Sequence, residues 1–232
     1  VEKKDGIFFH TATVTKGELK AGESVFAMVD TAKRHSTARN HTATHLLQKA
    51  LRKVVGTHVE QAGSSVNEKV LRFDFSHFEA VTKEQLAEVE KMVNDVINEF
   101  LVVDTKEMSM EEAQAAGAMA LFGEKYGESV RVVNAGGWSI ELCGGTHVAN
   151  TGEIGAFKIL SESGVASGVR RIEAVTGRGV LNYIEEKDNL ILKTAAVLKT
   201  NLINEIDKKA ESVATELKEV QKELDAVKAQ AA

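Results

Sequence analysis

The chain has 232 residues, of which 43% are hydrophobic and 27% charged, proportions typical of a globular protein. Its formal net charge of −5 excludes a general nucleic-acid binder of high isoelectric point, so a nucleic-acid partner requires a local basic surface. One cysteine excludes a disulfide framework, and the sequence shows neither a signal-peptide pattern nor an apolar run of membrane-spanning length, so we expect a cytoplasmic protein.

The first 34 residues are rich in strand-forming side chains. The segments "GIFFHTATV" and "SVFAMVD" are β-rich, and Lys16-Gly17 and Ala21-Gly22 are typical turn pairs between them. Two or three strands cannot bury a core alone. We therefore predict that residues 1–34 are the C-terminal part of a β-barrel domain.

A helix is predicted over residues 36–55, with Ser36 or Thr37 as its cap and Gly56 as its end. Its apolar residues share one face of the helical wheel. The opposite face carries His41, His45, Gln48 and Arg52.

The rest of the globular part predicts helices and antiparallel strands. A turn at 63–65 precedes a strand around Leu71, Phe73 and Phe75, an amphipathic helix over 82–101 and a shorter helix over 108–127 opened by Ser109. Four strands joined by glycine-bearing turns follow, in "SVRVVNAGG", "WSIELCGGTH", "GAFKILSE" and "VRRIEAVTG". This order predicts an α+β fold, an antiparallel sheet with packed helices, over residues 35–184.

Residues 185–232 predict a helical, coiled-coil-like segment. Apolar residues recur at alternating spacings of three and four, in Ile203, Ile206, Ala210, Val213, Leu217, Val220, Leu224 and Val227. Such a stripe needs a partner. Self-association through this tail and a place in a larger helical arm of the same chain both satisfy that need.

Two short motifs supply metal-ligand side chains. His41 and His45, four residues apart, project from one side of a helix, but this spacing is also common on solvated polar faces. Cys143 stands four residues before His147, separated by glycines that permit a tight turn. A thiolate and three imidazoles suit tetrahedral zinc. Thr42, where a zinc protease has glutamate, removes the general base of that class.

These motifs resemble a known family. "RNHTATHLLQKALRKVVGTHVEQAGS", "LRFDFSH", "ELCGGTHVANTGEIGAFKI" and "SGVRRIEAVTG" are similar to the editing domain of bacterial alanyl-tRNA synthetases, a member of the threonyl and alanyl second additional domain family. The resemblance covers about residues 1–185. It implies hydrolysis of the ester that joins serine or glycine to tRNA(Ala).

The resemblance also implies roles for individual residues. It makes His41, His45, Cys143 and His147 ligands of Zn²⁺, places Gln61 and Thr44 in the editing pocket as catalytic residues, and directs Arg170 and Arg171 to the tRNA. The sequence departs from the family pattern at Ser65 and at residues 67–69, which affects the expected shape of that loop.

Three questions stay open at the level of sequence. No ligase active-site motif is found, so the chain is expected to be a fragment that does not charge tRNA, or a free-standing deacylase. The zinc could be catalytic, could position the substrate, or could only stabilise an RNA-binding module without catalysis. Val at position 1 favours the fragment.

Overall fold

The computed structural model describes residues 1–119, 127 and 129–231. It has a mixed α+β architecture in which every strand pairing within a sheet is antiparallel, so the predicted fold class is confirmed. Two compact units are present, residues 1–31 and residues 32–232.

The first unit contains a short hairpin. Strands β1 (Glu2–Lys4) and β2 (Ile7–Phe9) pair across Asp5 and Gly6, which both have positive φ angles, as a two-residue hairpin turn requires. The predicted strand "SVFAMVD" is wrong, because residues 10–30 form no strand. Phe26 and Met28 are 91% and 83% exposed, so this segment does not bury its apolar side chains as a strand of a core sheet would. The barrel assignment of residues 1–34 stays a prediction.

Helix α1 (Thr31–Val54) is the central helix of the second unit. It begins five residues before the predicted start, so Ser36 and Thr37 are not caps: their hydroxyls donate to the carbonyls one turn earlier, at Ala32 and Lys33. Gly56, with a φ of 143°, follows the end of the helix as predicted.

A four-stranded sheet packs against α1. Its order is β3 (Gln61–Val66), β4 (Leu71–Ser76), β9 (Val169–Thr176) and β8 (Phe157–Ala166). Alternate side chains of β4 and β9 enter the main core, which also contains the apolar residues of α1. The turn predicted at residues 63–65 is wrong, because these residues belong to β3, which has a bulge at Gly63. The turn lies instead at Asn67, whose side chain accepts hydrogen bonds from two backbone N–H groups.

Helix α2 (Lys83–Asn98) covers the free edge of β8. Thr82 caps the helix in a capping box, and Asn94 pairs with both backbone groups of Phe157 in place of a neighbouring strand. The predicted apolar stripe is buried at Val89, Val93, Val96 and Ile97. Phe100 falls within the predicted helix 82–101, but it is 66% exposed because the helix ends at Asn98 and Phe100 has a φ of 54°.

A three-stranded sheet carries the second motif. Its strands are β5 (Val103–Ser109), β6 (Ser129–Ala135) and β7 (Ser139–Leu142), and helix α3 (Met110–Ala115) packs on it after a Ser109 cap. Strand β5 was not predicted. The predicted helix over 108–127 ends at Ala115; residues 120–126 of it lie outside the described part of the chain.

The C-terminal segment forms two helices. Helix α4 (Arg178–Val197) and helix α5 (Ile206–Ala231) are separated by a break at which Lys199 has a φ of 53°. The apolar stripe of α5 is exposed along its length, so its partner remains a matter of prediction. In the described residues, no helix combines the length and the apolar character needed to cross a bilayer.

Candidate metal centre

Two distant segments bring four ligand-type side chains together. Helix α1 supplies His41 and His45, and the loop after β7 supplies Cys143 and His147. One ligand atom from each side chain lies within 4.8 Å of all the others. The three imidazole ring centroids are 4.4 to 5.4 Å apart.

The two distances from the thiol to an imidazole nitrogen fit tetrahedral zinc. Bonds of about 2.0–2.3 Å place tetrahedral ligand atoms about 3.3–3.8 Å apart. The Cys143 Sγ lies 3.5 Å from His41 Nε2 and 3.3 Å from His147 Nε2. The donor set and these two distances therefore match those of a zinc site.

The loop after β7 depends on a close approach at Gly145. A Cβ placed on Gly145 would lie 1.9 Å from His41 Cε1, so only glycine leaves room for this imidazole. Arg131 of β6 fixes the loop, because its Nη1 donates to the carbonyls of Cys143 at 2.6 Å and of Gly145 at 2.9 Å.

Thr42 orients His147 from the neighbouring position on α1. Its Oγ1 accepts the Val148 N–H at 3.2 Å and lies 3.1 Å from His147 Nδ1. A hydroxyl oxygen has two lone pairs, so we assign the proton of His147 to Nδ1, which donates to Thr42. Nε2 then presents its lone pair to the cluster, as a metal-binding histidine requires.

Glu141 lies behind His45. Its Oε2 is 3.6 Å from His45 Nδ1, too long for a hydrogen bond, and its Oε1 accepts the Ser139 hydroxyl at 2.5 Å. Burial raises the pKa of Glu141 to about 7, against the opposing effects of Ser139 and Lys49. The carboxyl therefore faces the outer nitrogen of His45 and leaves Nε2 to the cluster.

Burial keeps the imidazoles uncharged. It lowers the pKa of His45 to about 3, with a further contribution from His41, and it is also the largest cause of the lowered pKa values of His41 and His147. Arg131 acts in the same direction on His41 and His147. Neutral imidazoles are the form that binds metal.

A small cavity of about 90 Å³ opens beside the cluster. Its walls come from α1, β3 and β7, and are formed by His41, Thr44, His45, Gln48, Gln61, Ser64, Met119, Glu141, Leu142 and Cys143. The predicted pocket residues Gln61 and Thr44 both line it. The Gln61 amide donates to Ser64 at 3.4 Å, and the Thr44 hydroxyl donates to the Asn40 carbonyl at 2.9 Å.

The two predicted tRNA-binding arginines lie on β9, outside this cavity. Arg170 makes a two-fold contact with Glu162, and Arg171 makes one with Asp74. The carboxylates raise the pKa of both guanidinium groups through hydrogen bonding. Each arginine is thus already paired within the chain.

Sequence reasoning missed the residues that support the cluster. Thr42 was read only as an argument against a protease, although its position between two histidines was a usable signal. Glu141 and Arg131 carry no local signal, because their roles arise from contacts between remote segments. Helical spacing placed Gln48 on the face of His41 and His45, but no role was assigned to it.

Comparison with known proteins finds one family model that matches part of the chain and relatives that are similar over its whole length. Residues 130–173 match the family model "Threonyl and Alanyl tRNA synthetase second additional domain", which covers the CGGTH loop and most of β9. The predicted resemblance to alanyl-tRNA synthetases is confirmed. It holds over the whole chain: alanine–tRNA ligase 1 of Lachnoclostridium phytofermentans is 54% identical over 232 residues, 100% of this chain.

Other relatives extend the similarity across distant bacteria. The alanine–tRNA ligase of Acetivibrio thermocellus is 52% identical over 95% of the chain, and that of Haemophilus influenzae strain Rd is 48% identical over 100% of it. The chain spans 26%, 25% and 26% of the lengths of these three relatives. It is therefore similar to a section of the alanyl-tRNA synthetases that includes the second additional domain.

Proposed function

We propose that the chain hydrolyses the ester of tRNA(Ala) mischarged with serine or glycine, as the editing section of an alanyl-tRNA synthetase. The observation that carries this proposal is the convergence of three imidazoles and one thiol beside a small polar cavity. The relatives support it, because they are named alanine–tRNA ligases. Cys143 and His147 lie in the segment that matches the second additional domain, and the relatives also cover the helix that supplies His41 and His45.

A synthetase for alanine has a physical need for such a site. A synthetic pocket for a small side chain rejects a near-isosteric competitor with an added hydroxyl only weakly. A second site that removes the wrong product by hydrolysis supplies the missing discrimination. A cavity of about 90 Å³ suits a small aminoacyl group, since one water in the liquid occupies about 30 Å³.

We propose His41, His45, Cys143 and His147 as the ligands of Zn²⁺. When bound there, zinc supplies a fixed positive charge that stabilises negative charge on the ester carbonyl or on an attacking water. The chain contributes the arrangement of ligand side chains: Thr42 orients the His147 imidazole, and burial keeps the imidazoles neutral.

Gln61 and Thr44 are the proposed catalytic side chains. Ser64 holds the Gln61 amide by accepting one of its N–H groups, which leaves the amide carbonyl to accept a hydrogen bond from the attacking water. The Thr44 hydroxyl donates to Asn40, so its free lone pair accepts from the same region of the cavity. These contacts position a water without a charged base.

Contact with tRNA through Arg170 and Arg171 requires an exchange of partners. Their guanidinium groups are bound to Glu162 and Asp74, so a phosphodiester would compete with these carboxylates. We propose that the arginines shape the basic side of β9 and meet the acceptor end through their remaining N–H groups.

A second function is favoured by one specific feature of the site. Four protein ligands complete a tetrahedral shell, as in structural zinc sites, whereas catalytic sites keep an open position. The alternative is thus a zinc-stabilised RNA-binding module that does not hydrolyse its ligand.

Release of serine from seryl-tRNA(Ala) separates the two functions. Under the hydrolase proposal, the wild-type chain releases serine, and Gln61→Leu reduces the rate while zinc content and unfolding temperature stay unchanged. Gln114→Met, a change at an exposed glutamine of α3, serves as the control. A zinc-bound chain that binds tRNA and releases no serine would establish the RNA-binding module instead.

A further inference from the structure

We infer that Gln48 selects serine over alanine in this cavity, by hydrogen bonding of its side-chain amide to the serine hydroxyl. The inference rests on the proposed hydrolytic function and names a specificity residue for it. Gln48 lies on α1 seven residues after His41 and three after His45, so its side chain projects from the same face of the helix. It belongs to the cavity wall that His41, His45 and Cys143 also form.

The burial of Gln48 is unusual for its chemistry. The residue is 3% exposed, although glutamine is mostly found on protein surfaces. An amide offers two N–H donors and a carbonyl with two lone pairs, and burying it without partners costs about 1–3 kcal/mol. A buried amide on a cavity wall therefore needs a polar partner.

Other side chains of the protein satisfy little of the hydrogen-bonding capacity of the Gln48 amide. Among the described residues, the one hydrogen-bond partner of the Gln48 amide is the Met119 sulfur, 2.9 Å from Nε2. A thioether is a weak acceptor. The carbonyl oxygen and the second N–H of Gln48 remain for a group that enters the cavity.

The other polar side chains of the cavity have stronger internal partners. The Thr44 hydroxyl donates to a backbone carbonyl, and the Gln61 amide donates to Ser64. Glu141 already accepts the Ser139 hydroxyl. Both cavity amides keep a carbonyl and one N–H, but Gln48 is the more deeply buried and its one partner, a thioether, is the weaker acceptor.

This arrangement explains discrimination between small aminoacyl groups. A serine hydroxymethyl group directed along α1 from the cluster reaches the Gln48 amide and replaces its weak bond to sulfur. The methyl group of alanine cannot do so and leaves the amide unpaired, which is the stronger form of rejection. Glycine has no side chain and makes no use of Gln48.

The test compares Gln48→Met with the wild-type chain on three substrates: seryl-, glycyl- and alanyl-tRNA(Ala). Methionine keeps the length and volume of the side chain and removes the amide. We expect kcat/KM for the serine ester to fall about tenfold, while that for the glycine ester changes less than about twofold. Zinc content and unfolding temperature, measured on the same samples, check that the site is intact. Gln114→Met is the matched control on an exposed helix face.

The ratio of kcat/KM for the serine ester to kcat/KM for the glycine ester tests the role of Gln48. An unchanged ratio in Gln48→Met, with the wild-type chain active on both esters, overturns the role of Gln48 and leaves the proposed function standing. A wild-type chain that hydrolyses neither ester overturns the proposed function itself. If Gln48→Met loses zinc, Gln48→Glu replaces it; a drop in the ratio with zinc retained supports the inference, and an unchanged ratio contradicts it.

Discussion

The described part of the molecule contains two groups of histidines whose rings lie close together. The two groups differ in burial and in the number of other metal-ligand side chains beside them. His41, His45 and His147 surround the Cys143 thiol, and His45 is 6% exposed. His58 and His77 form a pair whose nitrogens are 2.9 Å apart and whose ring centroids are 5.1 Å apart, but His58 is exposed and no third ligand-type side chain joins them in the described residues.

The difference shows what makes nearby imidazoles a candidate metal site. The first group has four possible metal ligands, a thiol among them, and Thr42 as an outer hydrogen-bond partner that fixes the ring of His147. The pair formed by His58 and His77 offers only two possible metal ligands, and His58 is exposed to solvent. Donor number, burial and outer partners distinguish the groups, whereas ring distance does not.

The largest effect is expected from removal of one ligand of the first group. Cys143→Ala should weaken zinc binding by more than the roughly 10–100-fold that loss of an outer partner costs. Serine release should fall with it. His58→Ala is the matched control, and its zinc content, measured by plasma mass spectrometry, should stay at one ion per chain. Equal zinc in both variants would contradict the distinction.

The next effect concerns the close approach at Gly145. Gly145→Ala places a Cβ 1.9 Å from a ring carbon of His41, so the loop or the helix must shift, at about 1–3 kcal/mol of unfolding free energy. Gly144→Ala is the control, because its Cβ meets nothing within 4 Å. Urea unfolding of the two variants measures the difference. Similar stabilities would show that the approach is not close.

The two groups of histidines should also differ in their effect on stability at acidic pH, because His45 is buried and His58 is exposed. Folded His45 has a pKa near 3, so between the ordinary value of about 6.5 and that value the unfolded chain binds protons that the folded chain does not. Stability of the metal-free chain should therefore fall on acidification through this range, by up to about 1.4 kcal/mol per pH unit for each such histidine. His45→Gln should flatten the slope in urea titrations, and His58→Gln should leave it in place. An unchanged slope in His45→Gln would mean that the imidazole is not buried.

The smallest effect is expected from an outer partner. Thr42→Val keeps the shape of the side chain and removes the oxygen that accepts from His147 and Val148. Unfolding free energy should drop by about 1 kcal/mol, and zinc affinity by about tenfold. Chelator competition measures the affinity, with Thr37→Val, on the same helix, as the control. Unchanged affinity would remove Thr42 from the support of the site.

Sequence was informative where chemistry is local. The spacings in HTATH and CGGTH selected the four side chains that the structure brings within 4.8 Å. Period-two alternation located β4, and Ser109 marked the start of α3. In each case a few adjacent residues determine the outcome.

Sequence was less informative where remote segments meet. Ser36 and Thr37 have cap chemistry, but α1 begins five residues earlier and their hydroxyls donate to carbonyls one turn back. Gly63 belongs to a strand because β4 pairs with it, and Gln48 is buried because the walls of the cavity come from three elements. Such outcomes depend on tertiary register, which single-sequence periodicity does not contain.

X-ray absorption at the zinc edge, on the purified wild-type chain, tests the central claim most directly. Convergence of His41, His45, Cys143 and His147 on one ion predicts one sulfur at about 2.3 Å and three nitrogens at about 2.0–2.1 Å. A coordination shell without sulfur, or a chain that retains no zinc, would contradict it.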